Sequence, residues 1–246
     1  ANSKFQKNFF LENIKKQNSL LKLALEKKIK RTIYLGTSCI YPKLSKNPIK
    51  EEYLLTGQLE KTNECYAIAK IAGIKLSEAL YQSHNLDIVC LMPTNIYGIN
   101  DNFDKFSGHV IPAMINKINE AKELKKKTVK LLGTGKPIRE FLFADDLAES
   151  IVLILKKNKK QIYKACKNKF PLINVGSGLS LSTRELSKKI IQLLNYKGKA
   201  IFDSKYPDGT MKKSLDSKII RSMGWKPKTS LEEGLRRSIE HYISKK

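Results

Sequence analysis

Amphipathic helical stretches alternate with short apolar runs along this chain, and that alternation restricts the fold more than any other feature. From about residue 5 to residue 28, Phe10, Ile14, Leu21 and Leu25 recur at helical spacing among lysines and glutamates. This pattern predicts an amphipathic helix. Thr32-Ile33-Tyr34-Leu35 is then a compact apolar run stopped by Gly36, the signature of a buried strand feeding a loop. Residues 64–82 predict a second helix, and residues 87–91 a second strand ended by Pro93. A helix over 110–124, a strand over 129–132 and a further extended segment over 139–143 continue the series. Such alternation calls for parallel strands joined by crossover helices, and hence for an α/β sheet covered on both faces.

The rhythm changes from about residue 170. Residues 172–175 predict a strand, and Ser182 with Glu185 and Ser230 with Glu233 are capping-box patterns that open two helices. Gly224 closes the short helix before the second of them. The expected organisation is a first part over 1–169, carrying most of the parallel sheet with interleaved substrate-lobe segments. A smaller, mixed, mainly substrate-binding lobe follows over 170–246.

With 246 residues, 41% of them hydrophobic, the chain can bury a sizeable core. No stretch approaches the roughly 20 apolar residues that cross a bilayer, and the first residues lack the order of a secretory signal, so a cytoplasmic protein is expected. Cys39, Cys65, Cys90 and Cys166 form no C-x-x-C pair and have no neighbouring histidines, which predicts reduced thiols and no metal site. The net charge of +24 is almost all lysine in short runs, without interleaved arginine and aromatics. That distribution reads as a solvated surface compatible with a phosphate-bearing ligand, not as a nucleic-acid groove.

Chemistry concentrates at Tyr66-Ala67-Ile68-Ala69-Lys70. Residues four apart share a helix face, so phenol and ammonium point into one site, and a nearby cation favours the phenolate. Such a tyrosine can exchange a proton at a carbonyl undergoing hydride transfer. The strand at Leu35 leads into G-T-S-C-I-Y-P at Gly36 to Pro42, and the next strand ends in M-P-T-N-I-Y-G at Met92 to Gly98. Both place polar groups beyond the carboxyl ends of strands, where ligands bind in open α/β sheets. Together with T-N-E-C-Y-A-I-A-K at Thr62 to Lys70, H-V-I-P-A from His109, G-T-G-K-P-I-R-E-F-L from Gly133 with Asp145-Asp146, and P-D-G-T from Pro207, these segments keep the order and spacing of one family. Over essentially its whole length the chain resembles the GDP-L-fucose synthases, extended short-chain dehydrogenase/reductases.

The resemblance implies NADPH-dependent 3,5-epimerisation and 4-reduction of GDP-4-keto-6-deoxy-D-mannose. By that resemblance Tyr66 donates the proton to the C4 oxygen, Lys70 holds the nicotinamide ribose, and Thr37 stands where the family usually has an assisting serine, with the same hydrogen-bonding capacity. Cys39 and His109 match the pair that moves protons at C3 and C5. Pro93, Thr94, Asn95 and Ile96, with Lys70 and His109, match contacts to NADP. Lys117, Leu132, Arg139 and Asp208 match contacts to the GDP-sugar, Arg139 with donors suited to the diphosphate. Leu132 departs from members that carry a tryptophan there.

A dinucleotide site should also contain a strand, a glycine-rich turn and a helix. Gly176-Ser177-Gly178 lacks the third glycine and an immediate helix. Ala1-Asn2-Ser3 resembles the family's sequence after its third strand, so the expected fold is an incomplete Rossmann-like, doubly wound parallel sheet with a smaller mixed C-terminal lobe. The glycine-rich part is expected upstream or on a separate N-terminal chain, NADPH binding by this chain alone is expected to be poor, and the complete enzyme is expected to be a homodimer. Related nucleotide-sugar epimerases and dehydratases share the tyrosine and lysine, but dehydratases usually carry an acidic pair where this chain has Ser38-Cys39. A fragment or subunit acting only in association is the non-enzymatic alternative.

Overall fold

The computed structural model describes residues 6–105, 107–206 and 208–245. The Ala1-Asn2-Ser3 start, Phe5 of the first expected helix and Pro207 of P-D-G-T lie outside the described residues. Helix α1 spans Gln6–Glu26 and leads into strand β1, Thr32–Leu35. After a one-turn 3-10 helix at Ser38–Ile40 come α2, Glu64–His84, then β2, Ile88–Pro93, and β3, Asn95–Tyr97. The middle of the chain forms α3, Val110–Glu123, β4, Thr128–Leu132, β5, Ile138–Phe143, α4, Ala144–Lys156, and α5, Lys159–Ala165. Strands β6, Leu172–Val175, and β7, Ser180–Ser182, precede α6, Thr183–Leu193, and β8, Lys199–Asp203. The chain closes with β9, Lys212–Lys213, α7, Lys218–Ser222, and α8, Leu231–Ser244.

The expected elements form within a few residues of their predicted bounds. Helix α4 was not expected: Asp145-Asp146 read as a motif, whereas they are the acidic first turn of a helix, where carboxylates face its positive end. Strands β3 and β9 are too short to show alternation.

The chain divides into two compact units, the first made of Ala1–Thr94, Leu147–Gly178 and Ser214–Lys226, the second of Asn95–Asp146, Leu179–Lys213 and Pro227–Lys246. Neither is continuous, so a boundary at 169/170 does not coincide with them. Strand pairing is the reason: β3 pairs with β5 rather than with β2 just before it, which draws residues 95–146 into the second unit.

In the first unit β2 lies between β1 and β6, parallel to both, with Tyr34 opposite Cys90 and Met92 opposite Asn174. Every residue of β2 is buried, as expected of a central parallel strand. Leu21, Ile40, Ile74, Ile88 and Met92 belong to one apolar cluster. Helix α2 packs on β2 and α1 packs on α2. At the helix contact Gln17 Nε2 donates to the Ala69 carbonyl at 2.8 Å, and Tyr34 Oη donates to Gln17 Oε1 at 2.7 Å. Gly73 makes room for that buried pair, since a Cβ there would collide with both Tyr34 Oη and Gln17 Oε1. Beyond β1, Tyr41 Oη donates to Asn174 Oδ1 at 2.6 Å, and Asn174 Nδ2 donates to the Ile49 carbonyl at 2.9 Å, fixing the G-T-S-C-I-Y-P segment against β6.

In the second unit β5 runs parallel to β3 and β9 and antiparallel to β7, while β4 and β8 form a separate parallel pair. Ile115, Ile118, Phe143, Leu186 and Leu235 are in its core. The box at α6 forms in full: Ser182 Oγ accepts from the Glu185 amide at 3.1 Å and Glu185 Oε2 accepts from the Ser182 amide at 2.7 Å. At α8, Ser230 Oγ accepts from the Glu233 amide at 3.2 Å.

Replacing Gly73 with alanine is expected to break the Tyr34–Gln17 pair and to cost about 1–3 kcal/mol, the range for overpacking a filled interior. Urea unfolding of the two forms measures it, with the loss seen as a lower midpoint at unchanged slope.

Candidate active site

Thr37, Cys39, Tyr66, Lys70, Pro93 and Thr94 all belong to the first unit. Parallel pairing puts the carboxyl ends of β1 and β2 on the same sheet edge, and these residues lie at that edge or on the helix beside it. Thr37 is extended and caps the 3-10 turn, its Oγ1 accepting from the Cys39 amide at 3.2 Å. Tyr66 is in the first turn of α2, with its phenol close enough to Thr37 and Cys39 to feel both. Burial and the Cys39 thiol push the phenol above its ordinary pKa, while the hydrogen bond with Thr37 pulls it down. The expected lowering by Lys70 is therefore not what the fold provides. Lys70 Nζ instead donates to the Leu35 carbonyl at 3.1 Å and sits 5.3 Å from the Tyr34 ring centroid. Burial lowers its own pKa.

The other predicted residues belong to the second unit. Asn95 Nδ2 donates to the Glu140 carbonyl at 2.8 Å, so its amide braces β3 on β5, and Ile96 is half-buried beside it. His109, Lys117, Leu132, Arg139 and Asp208, spread over about 100 residues of sequence, line a single cleft of about 240 Å³. Its charge is mostly positive, with Lys105 on the wall as well, and this suits an anionic diphosphate. Leu132 is 54% exposed there and offers the ligand an aliphatic surface. Burial, and then Lys105, lower the pKa of Lys117. Arg139 is oriented by Nη2 donating to the Asp208 carbonyl at 3.2 Å and by Nη1 donating to the Ile138 carbonyl at 2.9 Å.

Asp208 uses both carboxylate oxygens on Thr134, accepting from its amide at 2.8 Å and its hydroxyl at 2.6 Å. Desolvation raises this carboxyl, but the Thr134 bonds and the Arg139 charge outweigh it and hold the pKa below the ordinary range. Thr134 follows Gly133, whose φ of +82° favours glycine. In turn Arg184 Nη2 donates to the Thr134 carbonyl at 2.8 Å. Neither Thr134 nor Arg184 was assigned a role from the sequence, where Thr134 stood only as a variable position of the G-x-G motif.

His109 is the N-cap residue of α3 and makes no side-chain capping bond, which leaves the imidazole available. Asp101 Oδ1 lies 3.7 Å from its Nδ1, and this neighbour raises the histidine pKa against the opposing effect of desolvation. Asp101 was also missed, and the polar run Asp101-Asn102-Phe103-Asp104 just ahead of His109 is the signal that could have found it.

A nicotinamide ribose fits the first unit. Lys70 spends one of three ammonium protons on Leu35, and buried Thr94, whose amide donates to the Val175 carbonyl at 3.1 Å, follows β2 at the same edge. Gly176-Ser177-Gly178 does not fit a pyrophosphate. Arg221 Nη2 donates to the Ser177 carbonyl at 2.9 Å and fills the space beside Gly178, and the next helix, α6, belongs to the other unit. Among the described residues no cluster of histidine, cysteine or carboxylate side chains could hold a metal ion, and no helix is long and apolar enough to cross a membrane.

A parallel sheet with a tyrosine and lysine one helical turn apart defines the class, and the sequence agrees. Residues 1–166 match the model of the NAD dependent epimerase/dehydratase family, to which this chain belongs. A GDP-L-fucose synthase of Sinorhizobium fredii is 41% identical over 99% of this chain and 75% of its own length. Among solved structures, a GDP-6-OMe-4-keto-L-xylo-heptose reductase from Campylobacter jejuni superposes with a TM-score of 0.92 at 30% identity, covering 100% of this chain and 79% of that one. A GDP-D-glycero-L-gluco-heptose synthase from the same organism, solved in the presence of NADPH, gives 0.85 at 30% identity, with 99% and 78% covered. Within the family, the chain stands with the GDP-L-fucose synthases.

Difference spectra between the chain and Tyr66→Phe, recorded as pH rises, are expected to show one of the 10 tyrosines ionising above the ordinary phenol range. Thr37→Val removes the bond that favours the phenolate, so it should move that ionisation to still higher pH.

Proposed function

We propose that this chain carries the chemistry of a GDP-L-fucose synthase: epimerisation of GDP-4-keto-6-deoxy-D-mannose at C3 and C5, then reduction at C4. The observation that carries the reading is the grouping of the Cys39 thiol with the Tyr66 phenol and the Thr37 hydroxyl. A reductase needs only the tyrosine and its helper; a thiol beside them supplies a group able to take a proton from carbon next to a ketone. NADPH, when bound, supplies the hydride.

On this reading Tyr66 gives its proton to the C4 oxygen, and its high pKa keeps that proton in place at neutral pH. Lys70 holds the ribose with its remaining donors. Cys39 takes a proton from C3 and from C5 and His109 supplies a proton to each carbon in its place, which inverts each centre. Arg139 and Lys117 hold the diphosphate, and Asp208, through Thr134 and the Arg139 guanidinium, keeps the cleft wall in place. Leu132 packs against the ligand without ring stacking. Pro93, Thr94, Asn95 and Ile96 form the segment that passes the cofactor.

The protein is proposed to be a cytoplasmic homodimer. Support for the dimer comes from apolar side chains left exposed on the two paired helices, Leu11, Leu20 and Leu23 on α1 and Ile68 on α2.

Incubation of this chain, joined to the glycine-rich segment of a relative, with GDP-4-keto-6-deoxy-D-mannose and NADPH in deuterated water tests the assignment. GDP-L-fucose labelled at C3 and C5 is the expected product. Cys39→Ser should lower label uptake by about 10²-fold or more, and Tyr66→Phe should suppress reduction by a similar factor while leaving uptake in place. Reduction without label would identify a reductase that does not epimerise and would remove the proposal.

A further inference from the structure

We propose that Asp101 is the positioning residue for His109, engaging Nδ1 so that the imidazole presents a protonated Nε2 to the cleft. The inference deepens the reading of His109 as the acid of epimerisation and, for its catalytic part, rests on it.

The geometry is built for this role. Asp101 Oδ1 faces His109 Nδ1 at 3.7 Å, and the aspartate side chain is only 16% exposed while the histidine side chain is 83% exposed. One partner is fixed and the other is open to a ligand. The fixed partner sits in a segment pinned at several points. Asp101 Oδ1 accepts from the Asn102 amide at 2.8 Å, Asp104 Oδ1 accepts from the Ser107 amide at 2.7 Å, and Asn116 Nδ2 on α3 donates to the Phe103 carbonyl at 2.6 Å.

His109 needs such a partner because its other surroundings oppose a proton. It stands at the amino end of α3, where the helix dipole disfavours a cation, and Lys105, Lys117 and Arg139 line the same cleft. Lys105 is partly offset by Glu120, 3.2 Å away. The other acid on the cleft, Asp208, has its two oxygens on Thr134. Asp101 is thus the acid set against His109. A carboxylate on Nδ1 also selects the tautomer with its proton on that nitrogen when the ring is neutral, and holds the ring for a second proton on Nε2.

The three histidines of the chain make the test direct, because His84 and His241 serve as internal references. Imidazole titration by long-range proton–nitrogen NMR on the chain itself, without substrate, compares the native form with Asp101→Asn. The expected result is that His109 falls by at least about half a pH unit and loses its Nδ1–H preference, while the other two histidines stay put. Asp101→Ser should give the same change should the amide disturb the loop, and Asp101→Glu should restore part of the native value. An unchanged His109 titration in folded Asp101→Asn and Asp101→Ser would overturn the proposal. In turnover, Asp101→Asn should slow label uptake by about tenfold or more, shift the alkaline limb of that rate to lower pH and alter KM for the GDP-sugar less than twofold. Absence of label uptake in the native enzyme would remove the epimerase reading and leave the NMR outcome to decide the Asp101–His109 pairing.

Discussion

Parallel pairing of β2 with β1 and β6 is the constraint from which the reactive half of this molecule follows. Parallel strands present their carboxyl ends on one edge, so the segments after Leu35, Pro93 and Val175 emerge side by side. A buried central strand cannot slip by one residue without turning its side chains to the other face, which holds that edge in register. Thr37, Cys39 and Thr94 are carried to that edge by the pairing of the strands that precede them. Tyr66 and Lys70 arrive on α2, whose seat depends on a glycine-sized gap over the Gln17–Tyr34 pair.

The second unit solves a different problem. Its cleft brings together a histidine, a lysine, an arginine and an aspartate from separate elements, and the arginine and the aspartate are already engaged with protein groups. Arg139 is held by two carbonyls and Asp208 by Thr134. Ordering those side chains in advance lowers the conformational entropy that ligand binding would otherwise lose.

The helix and strand alternation, both capping residues and the tyrosine–lysine face could be read from residue spacing, because each depends on contacts within one element. The grouping of Cys39 with Tyr66, the sharing of a cleft by His109 and Asp208, and the membership of residues 95–146 in the second unit could not, because they depend on strand pairing over long separations. Family motifs supplied the residues of those groups without supplying the contacts. That is why the shift of the Tyr66 phenol was expected with the wrong sign: spacing puts Lys70 on the same face, but the ammonium reaches back to the Leu35 carbonyl, and burial then governs the phenol. Asp101, Thr134 and Arg184 escaped notice because each acts through a neighbour.

The cap at Thr37 has a consequence for the direction of proton flow. A backbone amide can only give a hydrogen bond, so the Cys39 N–H fills a lone pair on Thr37 Oγ1 and leaves the hydroxyl hydrogen free to turn to the Tyr66 oxygen. A phenol that receives this bond gives up its proton more readily. The short 3-10 turn thus holds the oxygen that eases loss of the phenol's proton, and a side chain that kept the shape of threonine without its oxygen would remove that help while leaving the fold intact.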